Sequence, residues 1–200
     1  MSARDPARKQ ALTDAAFGIV GETGLRALTH RAVDVAAGLP SGTCSYHYPT
    51  RQALLAAVLH RIAELDRADL DAALAGRTVT DFDAAALIED GTRMLAHWLG
   101  PARARSRARM LLMLDPQTRE LTTATAAAIA ADLEALATAV FGDPEHGSML
   151  IALVDGIVVD ELTHGREPVD TRRLRARFGA IVGLALRPAP DQRATPLPQT

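Results

Sequence analysis

Residues 29–51 read Thr29-His30-Arg31-Ala32-Val33-Asp34-Val35-Ala36-Ala37-Gly38-Leu39-Pro40-Ser41-Gly42-Thr43-Cys44-Ser45-Tyr46-His47-Tyr48-Pro49-Thr50-Arg51. Two helices too short to carry a core of their own are written into this stretch, with a tight turn between them. Thr29 has the side-chain oxygen that caps a helix start, Ala32, Val33, Ala36 and Ala37 make a short apolar face, and Gly38 permits the positive φ of a turn. Ser41 is placed to cap a third helix through about Tyr48, which Pro49 ends because its ring cannot continue the ladder. Thr50 then caps a fourth helix beginning at Arg51. A small residue and a glycine at Ala37-Gly38 let two helices cross closely. Val33, Leu39 and Cys44 supply an inner apolar face, and Ser41, Thr43, Ser45, Tyr46 and His47 supply outward groups, which together suit a helix-turn-helix whose second helix enters the DNA major groove. Tyr48 and Phe17, at helical spacing, are expected in the core.

On the N-terminal side, Leu12, Ala15, Ala16, Ile19 and Val20 recur at helical spacing over about residues 6–22, and Gly24 sits where a left-handed residue would end that helix. On the C-terminal side, Leu54, Leu55, Val58, Leu59, Ile62 and Leu65 line one side of a long helix expected over 51–74. Residues 75–83 read as a connection. Helical periodicity resumes over 82–99, 102–114, 117–141, 145–164 and 170–186, punctuated by Gly100-Pro101, Asp115-Pro116, Gly142-Asp143-Pro144 and residues 165–168. Period-2 alternation is lacking. The expected fold is therefore all-α with about nine helices, divided into a helix-turn-helix domain over 1–50, a larger helical domain over 51–187 and a disordered, Pro-rich tail over 188–200.

Composition narrows the function classes. The chain has 200 residues, 48% apolar and 23% charged, enough to bury a core and too apolar for a disordered polymer. A single cysteine, Cys44, cannot form an internal disulfide and suggests a reducing, cytoplasmic setting, where it acts as a small hydrophobe. A secretory leader is not expected, nor is a membrane span, since no window approaches the ~18 uncharged apolar residues one requires. Residues 1–51 carry six basic side chains (Arg4, Arg8, Lys9, Arg26, Arg31, Arg51) against four acidic ones (Asp5, Asp14, Glu22, Asp34), while the whole chain has a formal net charge of −2. The N-terminal quarter is thus the better polyanion-facing surface. The alternating Arg103, Arg105, Arg107 and Arg109 read as a solvated or dimer-facing face. His30 reads as exposed, and His60, His97, His146 and His164 are too scattered for a metal site, so no metal and no cofactor is expected. A helical-bundle enzyme finds little support, because paired carboxylates, a Ser/His/Asp series and a phosphate loop are all missing from the pattern.

The stretch from Thr29 to Leu55 resembles the TetR family of bacterial transcriptional regulators, strongly over about residues 8–60 and in architecture beyond. The resemblance implies a homodimer that binds a palindromic double-stranded DNA operator and is released by a small-molecule effector. It places Thr29 at the cap of the second helix on a phosphate, Arg31 where it reaches a base or the backbone, and Ser41, Gly42 and Thr43 on the leading turn of the recognition helix. Thr43 is the first choice for direct readout. Ser45 stands on the same helix, Tyr46 and His47 match an aromatic-His pair used on phosphates, and Arg51 stands where the family usually has Lys. The chain departs from the pattern at Asp34, where the family most often has Ala, at Pro40, often Ser, at Cys44, often Leu, and at Ser45, often Tyr.

In the larger domain, Met94, His97 and Trp98 on one helix, Met110, Met113 and Leu114 on the next and Asp155 on the eighth are the expected walls of a largely apolar effector pocket. Leu153, Gly156, Ile157 and Leu162, with Leu174, Phe178, Ile181 and Val182 on the last helix, offer apolar surface for a four-helix dimer interface, Gly156 allowing a close crossing. The alternative reading is a DNA-binding dimer without an effector, its second domain serving dimerisation or a protein partner.

Overall fold

The computed structural model describes residues 4–74, 83–142, 144–165 and 167–185. Among these residues the chain is helical throughout, with no strand: α1 (Arg4–Thr23), a 3-10 turn (Leu25–Ala27), α2 (His30–Ala36), α3 (Thr43–His47), α4 (Arg51–Leu74), α5 (Ala84–Leu99), α6 (Arg103–Leu114), α7 (Arg119–Phe141), α8 (Pro144–His164) and α9 (Thr171–Ala185). The tail over 188–200 and most of the connection over 75–83 lie outside the described residues. No helix among the described residues is long and apolar enough to cross a membrane.

Local chemistry sets the starts of several helices. The hydroxyl oxygen of Thr29 accepts from the Ala32 N–H at 3.1 Å, that of Thr50 from Ala53 at 3.0 Å, and a carboxylate oxygen of Asp83 from Ala86 at 2.7 Å. Each occupies a donor that the first helical turn leaves orphaned. Gly38, at φ +65°, makes the turn after α2. Gly24 differs from expectation: its φ of +92° is positive, but its ψ of 169° is extended, so the chain leaves α1 straight into the 3-10 turn.

Two apolar cores hold the helices. The first gathers Leu12, Ala16, Val20, Leu28, Val33, Cys44 and the α4 residues Leu54, Leu55, Val58, Leu59 and Ile62, and it continues into Ala108 and Leu112 of α6. Phe17 and Tyr48 pack on its margin. The second gathers Leu95, Trp98 and Leu99 of α5, Ile157, Val158 and Leu162 of α8, and Leu174, Phe178, Ile181 and Val182 of α9. Two glycines set close approaches. A Cβ on Gly21 would lie 2.0 Å from the Ala104 carbonyl oxygen, so α1 can touch the backbone of α6 only because residue 21 has no side chain. A Cβ on Gly91 would meet the Phe178 ring at 2.1 Å, which seats that ring against α5.

Candidate nucleic-acid interface and effector site

The short helices α2 and α3 stand on α1 and the start of α4 and turn one face outward. Thr29 and Arg31 are exposed on α2, Ser41 and Gly42 lead into α3, and Ser45 and Tyr46 are exposed on it, Tyr46 at 82%. Arg31, Val35, Leu39 and Ser41, with Asp34 at its floor, line a recess of about 300 Å³ on this face. The Thr43 hydroxyl donates to the Pro40 carbonyl at 2.6 Å and the Ser45 hydroxyl to the Gly42 carbonyl at 3.0 Å. Their protons are committed within the turn, which leaves each hydroxyl oxygen to act as an acceptor.

Other side chains of the stretch turn inward. Ser41 does not cap α3: that helix begins at Thr43, its cap residue Gly42 has a φ of +91°, and no local side chain caps it. The cap oxygens come from α2. Asp34, 2% exposed, accepts the Gly42 N–H on one carboxylate oxygen at 2.8 Å and the Cys44 N–H on the other at 2.7 Å. His30 is half-buried instead of exposed, its ring Nε2 donating to the Tyr48 carbonyl at 2.6 Å, which ties the start of α2 to the end of α3. The His47 side chain is 6% exposed and points its Nδ1 at Asp5 of α1, 3.5 Å away. The Arg51 guanidinium donates to the carbonyls of Leu28 and, at 2.7 Å, Leu25, so it satisfies the end of the 3-10 turn. Cys44 is fully buried, and burial together with the Asp34 charge pushes its thiol up to about 11.

At the junction of α4, α5, α6 and α8 the expected apolar walls give way to a charged cluster. Arg105, 6% exposed, lies 3.2 Å from Asp66 and hydrogen-bonds Asp69, both on α4. Arg109, one turn on, reaches Asp66 at 3.6 Å and Asp155 at 3.9 Å, and its guanidinium carbon stands 5.3 Å from the centre of the Trp98 ring. The indole N–H of Trp98 donates to Asp69 at 3.0 Å, and His97 Nε2 lies 3.5 Å from the same carboxylate. Burial raises the carboxyl of Asp66 above its ordinary range, against the pull of Arg109 and Arg105. Burial likewise raises Asp155, against Arg109. Met94 and Met110 pack on the second core beside this cluster, whereas Met113 and Leu114 are 39% and 62% exposed.

On α8 and α9, six of the residues expected at a dimer interface are spent inside the protomer: Ile157, Leu162, Leu174, Phe178, Ile181 and Val182 are all buried in the second core. The apolar periodicity is the same for a face covered by α5 as for one covered by a second copy, which is why the sequence did not separate them. Leu153 and Gly156 remain exposed, on a strip with Met149, Ala152 and Val159. A neighbouring strip on α9 exposes Ala176, Ala180, Gly183 and Leu184. Arg177 of α9 pairs with Asp160 and Glu161 of α8 at 2.7 Å each.

A family model described as "Tetracyclin repressor-like, C-terminal domain" matches residues 82–187, more than half of the chain. The chain belongs to the TetR family of transcriptional regulators. Solved structures agree in sequence and fold. A TetR-family member from Streptomyces coelicolor A3 is 31% identical, with 88% of this chain and 98% of that one covered and a TM-score of 0.67. The multidrug binding protein EbrR complexed with imidazole is 30% identical over 94% of this chain and 99% of its own, with a TM-score of 0.64. The same protein complexed with ethidium is 31% identical over 88% and 99%, with a TM-score of 0.65. No curated protein matches the chain in sequence.

In this TetR-family chain Thr29, Arg31, Ser41, Gly42, Ser45 and Tyr46 are exposed around α2 and α3, and Arg109 and Asp69 bring Trp98, His97 and Asp155 into one cluster. The sequence reading missed Asp34 as a cap, because the partners lie eight and ten residues away. It also missed Asp66, Asp69, Arg105 and Arg109, because it took the arginine run as a solvated or dimer-facing face. Available signals were the i, i+3 pair Asp66/Asp69 on an otherwise apolar side of α4 and the i, i+4 pair Arg105/Arg109 on α6.

Proposed function

We propose that this TetR-family chain is a cytoplasmic transcriptional repressor that binds a palindromic operator as a homodimer and is released by an aromatic organic cation. One observation carries the effector assignment: Arg109 sits over Trp98, within a cluster where three carboxylates (Asp66, Asp69, Asp155) face two guanidiniums. Cation–π attraction and an excess carboxylate are what an aromatic cation uses. Arg109 is held by ion pairs of 3.6 and 3.9 Å, longer than direct hydrogen bonds, so it is the side chain such a ligand displaces. EbrR has been solved with ethidium, a ligand of that chemistry. The expected apolar effector is thereby refined to an apolar ring system bearing one positive charge.

The coupling follows from α4. Its first residue, Arg51, holds the turn beneath α2, and its Asp66 and Asp69 hold the cluster at the other end. A ligand that favours a different placement of Asp66 and Asp69 shifts α4 and with it the spacing of the two α3 helices, which DNA requires about one helical turn, ~34 Å, apart. The exposed strips on α8 and α9, Leu153 and Gly156 included, form the interface between copies.

Trp98 is the sole tryptophan, so its fluorescence reports the site directly. Titrating tetraphenylphosphonium, a cation that does not intercalate, should quench Trp98 and release the dimer from DNA flanking its own gene in an anisotropy assay. Saturable quenching without release would mean a ligand site uncoupled from DNA. Sequence-specific DNA binding without quenching by any aromatic cation would favour the second reading, a DNA-binding dimer without this effector.

A further inference from the structure

We infer that Asp34 is the residue that positions the recognition helix for base readout. This rests on the reading of α3 as the DNA-reading element. Helix α3 has five residues and no side-chain cap of its own. A helix of that length has almost no internal hydrogen bonds to fix its direction, so its first-turn donors decide where it points. Two of them, the N–H groups of Gly42 and Cys44, end on the two oxygens of one buried carboxylate. A bidentate bond from α2 sets both the distance and the rotation of α3, and hence the direction of Thr43, Ser45 and Tyr46. Charge-assisted bonds to backbone N–H groups are among the stronger and more directional available.

Asp34 touches no base in this arrangement. It is a positioning residue.

The test uses the full-length dimer and three forms: wild type, D34A and D34N. D34A should lose at least tenfold in affinity for the specific operator while its affinity for random DNA stays level or rises, since a negative charge has gone. The Cys44 thiol, the only one in the chain and fully buried, should react faster with a thiol reagent as α3 loosens. D34N, with one acceptor oxygen left, should fall between. A D34A protein with the wild-type ratio of specific to random binding overturns the inference, and so does a D34A protein whose Cys44 labels no faster than that of the wild type while thermal unfolding stays cooperative. If the wild type itself shows no specific site, the DNA-binding reading fails instead, and Cys44 labelling alone still decides whether Asp34 holds α3.

Discussion

Asp34 and Asp66 are both carboxylates nearly sealed from water, 2% and 7% exposed, yet they are held in opposite ways. Asp34 is bound by two backbone N–H groups, which belong to a helix start and cannot leave without dismantling it. Asp66 is bound by two guanidiniums on flexible stems, which can exchange for another cation. On the proposed function, fixed dipoles suit the part of the molecule that presents one geometry to DNA, and exchangeable charges suit the part that answers a ligand. That reading gives rigidity to α2–α3 and responsiveness to the α4–α6–α8 junction, with α4 as the element common to both.

The comparison breaks most visibly if the buried guanidinium is removed without a substitute. R105M leaves the buried Asp66 with the longer pair to Arg109 and Asp69 with the Trp98 N–H, and should lower stability by about 3–5 kcal/mol in denaturant unfolding, as expected when one partner of a buried pair is lost. Adding D66N should recover a substantial part of that loss. The pH sign is definite: burial already raises the Asp66 carboxyl, so the native state keeps its proton to higher pH than the unfolded chain does. The R105M deficit should therefore shrink as pH falls through that raised value and grow above it.

A smaller effect should follow at the contact between the two regions. G21A places a methyl into the Ala104 carbonyl, and backbone cannot give way as a side-chain end can. Overpacking of this kind costs about 1–3 kcal/mol. Because α1 must then lift from α6, operator affinity should fall along with the melting temperature. A melting temperature unchanged in G21A would show that the α1–α6 crossing is looser than described.

At the ligand end, the raised carboxyls of Asp66 and Asp155 give a second sign. Affinity for tetraphenylphosphonium, read by Trp98 fluorescence, should rise with pH through those raised values as the carboxylates ionise, then level off. A D155N variant should flatten the rise and weaken binding about tenfold, whereas L153E should leave it intact and instead shift the dimer toward monomer in sedimentation. The smallest effect concerns Cys44. With its thiol pushed up to about 11, labelling of the folded wild type at pH 8 should be far slower than that of the denatured chain.

Local features were legible in the sequence because their partners are near in the chain. Thr29, Thr50, Gly38 and Pro49 each act on residues within four positions, and the helical periods of α1, α4, α5, α8 and α9 repeat every turn. The helix-turn-helix and the all-helical fold followed from these alone. Pairing across the molecule was not legible. Arg105 and Asp69 are 36 residues apart, and an alternating arginine run has the same spacing whether it faces water or carboxylates. Phe178 and Val182 form an apolar stripe on α9, but a stripe states only that something covers it. The sequence by itself determined which segments become helices, where they stop and which faces are apolar, since those depend on backbone sterics and on neighbours within a turn. Only the tertiary structure decided that α5 covers α9, that Asp34 reaches forward to cap α3 and that Arg105 and Arg109 of α6 turn onto the carboxylates of α4, because burial and ion pairing are settled by distances between residues that the chain keeps far apart.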